Sequence, residues 1–392
     1  MAQSCFRIFY GPARIGLLTL LVVPLVGFSQ NQSAEPTRTE STTIQISPYG
    51  SFRGHLAILN DQAEIQENAS RIGFELSVIK GKIRYFTGVE LGINLFRSAQ
   101  FLNADANTNS GFIQLGESQN LQVFSTRLGY LGADFGAFGV LKFGKQWGVY
   151  YDITGYTDKF NVFGGQGSAT YVASSDGGET GTGRANQALT YRNTIGPLHL
   201  GGQLQMRSIQ NGYFFDGFGI SAQVDIWKGL KVGATYNKAY FEDFLVDNIL
   251  GAGGQPEYLA LGASYRSDHL DLGAVYATHT NGDLTRSEVD EQLVSTVFDA
   301  EGFEVFGKFK RPRYSILAGF NGYFPEVIGL PVSQEFKRQY YMVGAEYKPS
   351  RFAYLYAEYR NGKGINSFGI EALDVFTLGI RLDLQRSWEK RF

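Results

Sequence analysis

Cysteine is nearly absent from this 392-residue chain: Cys5 is the only one. That excludes a disulfide framework and a cysteine-rich zinc site. Methionine (3) and proline (10) are scarce, and 43% of residues are hydrophobic, too apolar and too poor in proline for a disordered chain. A formal charge of −2 leaves no basic footprint for nucleic acid. After the first thirty residues no apolar run approaches the ~18–20 residues of a membrane-spanning helix. The histidines, His55, His199, His269 and His279, are scattered without ligand spacing. No Gly-x-Ser-x-Gly nucleophile motif occurs, and the glycine-rich run Gly177–Gly183 lacks the Lys-Ser/Thr ending of a phosphate loop. Neither a catalytic set nor a metal or other cofactor is expected.

What is plentiful is glycine (49), phenylalanine (31) and tyrosine (23). The N-terminus reads as an export signal. Arg7 and Arg14 precede the apolar stretch Ile15 to Val26, and small residues Gly27 and Ser29 stand at the −3 and −1 positions of a cleavage site before Gln30. Residues 1–29 are thus expected to be a signal peptide and 30–43 a short N-terminal segment, with the folded domain at 44–392. Cleavage would remove Cys5.

From there the chain alternates with period two. In Ser70–Ile79, Ile72, Phe74, Leu76 and Val78 share one parity, and Arg71, Gly73, Glu75 and Ser77 the other. Such a segment is a strand between two different environments. The pattern predicts about sixteen strands, at 44–59, 70–79, 82–96, 123–134, 137–146, 184–193, 197–208, 217–228, 230–241, 257–267, 269–280, 302–311, 313–324, 338–348, 351–361 and 373–385. Tight turns at Lys80-Gly81, Gly136-Ala137, Ile195-Gly196, Lys228-Gly229, Asp268, Pro312 and Pro349-Ser350 alternate with long connections, among them 147–183 and 281–301.

An even number of antiparallel strands with short turns at one end and long loops at the other is the pattern of an outer-membrane β-barrel. A soluble sandwich does not need that rotation. The polar parity carries Arg53, Arg71, Arg84, Glu90, Arg127, Arg184 and Arg192. A barrel of this size leaves an aqueous lumen for such residues and turns its apolar parity to lipid. Tyr130, Tyr236, Tyr240, Tyr276, Tyr314, Tyr340 and Tyr354 are expected in the interfacial girdles, and the aromatic C-terminus Phe392 agrees with a barrel. Outward positions such as Ala185 and Gln187 suit a protein interface better than lipid.

The segment Trp147–Gly183 is too long for a plain connection and too aromatic for a solvated one. It carries Tyr150, Tyr151, Tyr156, Phe160, Phe163 and Tyr171, so it should pack on the inner wall and narrow the channel.

At this segment the sequence resembles the general trimeric porins of Gram-negative bacteria. Gly144-Lys145-Gln146-Trp147-Gly148-Val149-Tyr150-Tyr151-Asp152 resembles the end of their fifth strand. Gly155-Tyr156-Thr157-Asp158 and Phe163-Gly164-Gly165 resemble their inward third loop, and Gly183-Arg184 with Thr190-Tyr191-Arg192-Asn193 the next strand. Ser70-Arg71-Ile72-Gly73-Phe74 and Thr126-Arg127-Leu128 resemble two earlier strands with wall arginines, and Tyr49-Gly50 the first. The match is tight over about 120–195 and elsewhere one of pattern. The resemblance implies a homotrimer in the outer membrane. It also implies a constriction in which Arg71, Arg127 and Arg184, with Arg53 on the face where the family often has a lysine, oppose Asp158 on the loop.

The second usual loop acid is here Val162, which predicts weak cation preference or a mild anion preference. Asp176 or Glu179 could restore the balance. The lesser readings are that an inward arginine only braces a lumen carboxylate and that Asp158 is a turn residue. The expected function is passive diffusion of small hydrophilic solutes and ions. The alternatives are a channel biased to a sugar or to an anion such as phosphate, and, on weaker grounds, a barrel enzyme.

Overall fold

The computed structural model describes residues 41–59, 62–96, 99–102, 115–119, 123–172, 175–207, 214–249, 251, 253–289, 292–326, 335–366 and 369–392. The expected signal peptide, and all but the last residues of the expected N-terminal segment, lie outside them. Residues 41–392 form one unit, a closed antiparallel barrel of sixteen strands. The strands are β1 (Thr42–Leu59), β2 (Arg71–Lys80), β3 (Ile83–Ile93), β4 (Phe124–Asp134), β5 (Val140–Trp147), β6 (Arg184–Ile195), β7 (Leu198–Gln205) and β8 (Gly217–Trp227). They continue as β9 (Leu230–Ala239), β10 (Glu257–Arg266), β11 (Leu270–Val289), β12 (Gln292–Lys310), β13 (Tyr314–Pro325), β14 (Lys337–Tyr347), β15 (Ala353–Ile365) and β16 (Val375–Gln385). Each pairs with its successor, and β16 closes on β1 through a register that sets Ser51 opposite Asp383 and Arg53 opposite Arg381. Two short pieces, Gln62–Glu67 and Trp388–Arg391, lengthen the ladders on the two sides of β1. With closure no barrel edge is left unpaired, as a bilayer requires.

Strand β16 shows why this sequence chooses a barrel. Phe376, Leu378, Ile380, Leu382 and Leu384 are all exposed, while Val375 and Thr377 are fully buried and Arg381 and Asp383 half-buried between them. Exposed leucine and buried polar side chains invert the rule for soluble proteins and fit a lipid-facing exterior around a polar lumen. All seven expected tight turns join successive strands. Four of them place a glycine in the left-handed region: Gly81, Gly136, Gly196 and Gly229, with φ of 60°, 64°, 59° and 81°.

Three expectations are overturned. Residues 281–289 and 292–301 are not loop: β11 and β12 run on as a tall hairpin whose ladder shifts register between His279 and Asp283, beside Asn281 at φ 49°. The shift breaks the period-two pattern that would have announced the extension. Among the girdle candidates, Tyr130, Tyr340 and Tyr354 are lumen residues. Tyr130 donates to Glu75 at 3.3 Å, Tyr340 is fully buried beneath Arg360, and Tyr354 lies under Arg381. A phenol's polar tip suits a wet lumen as well as a lipid interface. Ala185 is fully buried, opposite Gln146. The ladder between β5 and β6 is irregular there, with Gln187 at φ 46°, so parity counted from the strand's lower half puts Ala185 on the wrong face.

Candidate functional site

The connection between β5 and β6 begins with a one-turn helix, α1 (Tyr151–Thr154), and reaches wall strands far from its own. Its apolar side chains seat it in two places. Val162 and Phe163 are buried with Ala57 and Leu59 of β1, Met342, Tyr356 and Val375. Tyr150, Ile153 and Tyr156 pack with Tyr258, Ala260, Val275 and Ala277. Hydrogen bonds then fix the backbone. Glu358 on β15 accepts from the N–H groups of Asn161 at 2.7 Å and Val162 at 2.9 Å. Glu304 on β12 accepts from Gly167 N at 2.8 Å, Ser168 N at 2.7 Å and the Thr157 hydroxyl. Asn321 Nδ2 donates to Gly164 O and Asn68 Nδ2 to Asn161 O, both at 2.8 Å. Lys159 pairs with Asp271 at 2.6 Å, and Arg192 with Asp152 at 3.1 Å. Hydrogen bonds to a charged acceptor are worth roughly 1.5–3 kcal/mol each, so they add to the apolar burial in offsetting the cost of ordering this glycine-rich segment.

Close packing makes glycine obligatory at one point here. A Cβ on Gly302 of β12 would stand 1.7 Å from Gly167 O.

Beside the loop lies a cavity of about 700 Å³, and all five residues expected at a constriction line it: Arg53, Arg71, Arg127, Arg184 and Asp158. They come from β1, β2, β4, the start of β6 and the loop, so the barrel brings together what the chain spreads over more than a hundred positions. Tyr49, Ser51, Glu90, Trp147, Tyr151, Tyr171, Arg381 and Asp383 share the lining. Arg381 and Asp383 are the notable residues that sequence reasoning missed. They stand two apart on the polar parity of β16, the signal that could have found them, but the resemblance is tight only to about residue 195.

The contacts of these side chains differ. Arg127 Nε donates to Glu90 Oε1 at 2.8 Å, and the other Glu90 oxygen accepts from Tyr49 at 2.9 Å. Arg381 and Asp383 pair at 2.7 Å, with Ser51 also donating to Asp383 at 2.7 Å. Arg184 pairs with Asp176 at 3.2 Å, and Lys145 reaches the same carboxylate at 2.9 Å. Burial works against ionisation of Asp176, but hydrogen bonds and charge from Lys145 and Arg184 prevail and hold its carboxyl below the usual range. Glu179 stands apart, paired with Arg207.

Among the described residues no arginine comes within ion-pair distance of Asp158. It accepts hydrogen bonds from the hydroxyls of Tyr151 at 2.9 Å and Tyr171 at 2.8 Å and from Gly165 N at 3.2 Å, so it ties the loop to itself while lining the cavity. Burial, reinforced by the charge of Asp158, drives both phenols well above their ordinary range and keeps them donors. Val162, at the place of the missing acid, is 2% exposed in its apolar cluster and faces no water.

No group of three potential metal ligands occurs among the described residues. A model of the Gram-negative porins matches residues 20–366. Outer membrane protein F of Serratia marcescens is 29% identical over 291 residues, 67% of this chain and 76% of that protein. Among solved structures, OmpF of Salmonella typhi in complex with daunomycin superposes with a TM-score of 0.67 at 18% identity, covering 87% of this chain and 97% of that one. OmpT, an outer membrane protein of Vibrio cholerae in its trimer form, gives 0.61 at 17% identity, covering 87% and 99%. At such identities the two structures speak for the fold alone. Barrel topology, the inverted polarity of its strands and the family match lead to one conclusion: this chain belongs to the Gram-negative porins, channels of the outer membrane.

Proposed function

We propose that the channel passes small hydrophilic solutes and ions by diffusion, filtered by size where the loop 148–183 lies inside the lumen. Charge filters them at Arg53, Arg71, Arg127, Arg184 and Asp158. The convergence of these five on one cavity is the observation that carries the reading. Five guanidiniums line the cavity against the carboxylates of Glu90, Asp158 and Asp383. A surplus of one sign disfavours like-charged ions, so the pore is weakly selective and leans to anions. Diffusion needs neither a reaction nor a cofactor, and we assign the chain no enzymatic activity.

We further propose a homotrimer, in keeping with the trimer form of the Vibrio cholerae neighbour, and removal of residues 1–29 on export. The protein refolded into a planar bilayer should give large, long-lived current steps that close in threes. Absence of steps would refute the channel reading, and closure in single steps would refute the trimer.

A further inference from the structure

We propose that the tight-turn end of the barrel carries, over β12–β16, a docking surface for an anionic glycerophospholipid of the phosphatidylglycerol type. The surface lies on the outside of the barrel, at the periplasmic ends of the strands, where a bilayer presents its headgroups.

Charge is spread unevenly around that end. The turns 135–139 and 195–197 contain no charged residue, and at the next two turns bases stand beside acids: Lys231 pairs with Asp225 at 3.6 Å and Arg266 with Asp271 at 3.5 Å. From β12 onward the balance changes. Arg311 and Arg313 occupy the turn between β12 and β13, Lys348 and Arg351 the turn between β14 and β15, and Arg386, Lys390 and Arg391 the tail after β16. Glu389 is the only acid within 311–313, 348–352 and 386–392. Among the described residues none of these bases has a carboxylate within ion-pair distance. Backbone hydrogen bonds join the segments into one arc: Lys348 N donates to Arg313 O at 2.7 Å, Asp383 N to Phe352 O at 2.8 Å, and Arg386 N to Pro48 O at 3.1 Å.

Each segment also sets a cation against an exposed ring. Arg311 lies 4.9 Å from the centroid of Phe309, Arg351 4.4 Å from that of Phe352, Arg386 5.2 Å from that of Trp388 and Lys390 4.9 Å from that of Phe392. A ring at the edge of the hydrocarbon with a base beside it keeps the apolar body in the acyl layer and the charge at the depth of the phosphates. A guanidinium fork matches two oxygens of a phosphodiester. In phosphatidylcholine that phosphate is offset by the lipid's own ammonium, which the arc repels. Phosphatidylglycerol carries no such cation, so charge complementarity selects it.

The tryptophans supply the test. Trp388 lies in the arc, Trp227 is exposed at the end of β8 on the far side of the barrel, and Trp147 lines the lumen cavity. W227F and W388F each leave one outer tryptophan. They are reconstituted in vesicles of equal parts phosphatidylcholine and phosphatidylglycerol, with brominated chains on one lipid or the other, and bromine quenches the tryptophan it touches. At Trp388 brominated phosphatidylglycerol should bind about fivefold better than brominated phosphatidylcholine, whereas Trp227 should show about equal binding. Adding R311Q/R351Q/R386Q to W227F should bring Trp388 to the same equality. If that variant gives no KCl steps, R386Q alone, beside the reporter, should lower the preference by about half or more. Equal quenching of Trp388 by both lipids, or a preference that survives loss of the arginines, would overturn the surface. Quenching by neither would overturn it as well, because another copy or a periplasmic partner would then cover the patch. None of these results bears on the channel reading, which conductance steps of the wild type test by themselves.

Discussion

The two sides of the lumen put charge to opposite uses. On β1, β2, β4 and β16, arginines line the cavity, and among the described residues two of them, Arg53 and Arg71, have no carboxylate within ion-pair distance. On β12 and β15, Glu304 and Glu358 are fully buried, their oxygens occupied by N–H groups of the loop. One wall turns part of its charge to the cavity, and the other uses its charge to hold the loop. A polar residue on the inner parity of a strand therefore does not announce its role. Its role depends on whether a second segment of chain arrives to claim it.

Four perturbations break or sharpen this contrast. The largest effect is expected from E358A, which orphans the N–H groups of Asn161 and Val162. At ~1–3 kcal/mol for each unsatisfied donor the loop loses ~2–6 kcal/mol, nearer the lower end if water reaches the gap. Single-channel noise should rise and the loop become sensitive to protease, with the barrel intact. E304A should act alike.

V162E, which restores an acid by charge but not by setting, puts a carboxylate among Ala57, Leu59, Phe163 and Met342. It should loosen the loop by about 3–5 kcal/mol instead of creating cation selectivity; protease sensitivity and reversal potential together read the two apart. D158N removes one negative charge from the cavity while keeping an acceptor for Tyr151 and Tyr171, and should shift the reversal potential modestly towards anions.

The smallest effect is a pH response. Because the Asp176 carboxyl is held below its usual range, its contribution to loop stability is complete above the unfolded value, roughly pH 4. It is lost as pH falls through the folded value. Acidification below that point should free Arg184 and Lys145 and add anion preference, which D176N should reproduce at neutral pH.

How much of this was legible beforehand depended on the range of the signal. Period two and turn chemistry are local, so strands such as β13 and β16 could be placed nearly to the residue. The pattern failed where one irregular residue shifts the phase, at Asn281 in the tall hairpin and at Gln187 beside Ala185. The residues that line the cavity were accessible because the motifs around Trp147 and Arg184 are compact. The partners of the loop were not. Nothing local distinguishes Glu358, both of whose oxygens accept backbone N–H groups of the loop, from Glu346 a strand away, which pairs with Lys308 at 2.5 Å and meets the loop through the Asn161 side chain. Asp158 shows the same limit: its acidity was plain, but its engagement by two tyrosines is a property of the folded loop.

The central claim, that carboxylates hold the loop on one wall while arginines outnumber carboxylates around the cavity on the other, is tested most directly by the zero-current potential across a tenfold KCl gradient. The account predicts a small potential of the sign given by chloride preference. A large potential of the potassium sign would contradict it, since unengaged carboxylates would then have to govern the narrowest part of the pore.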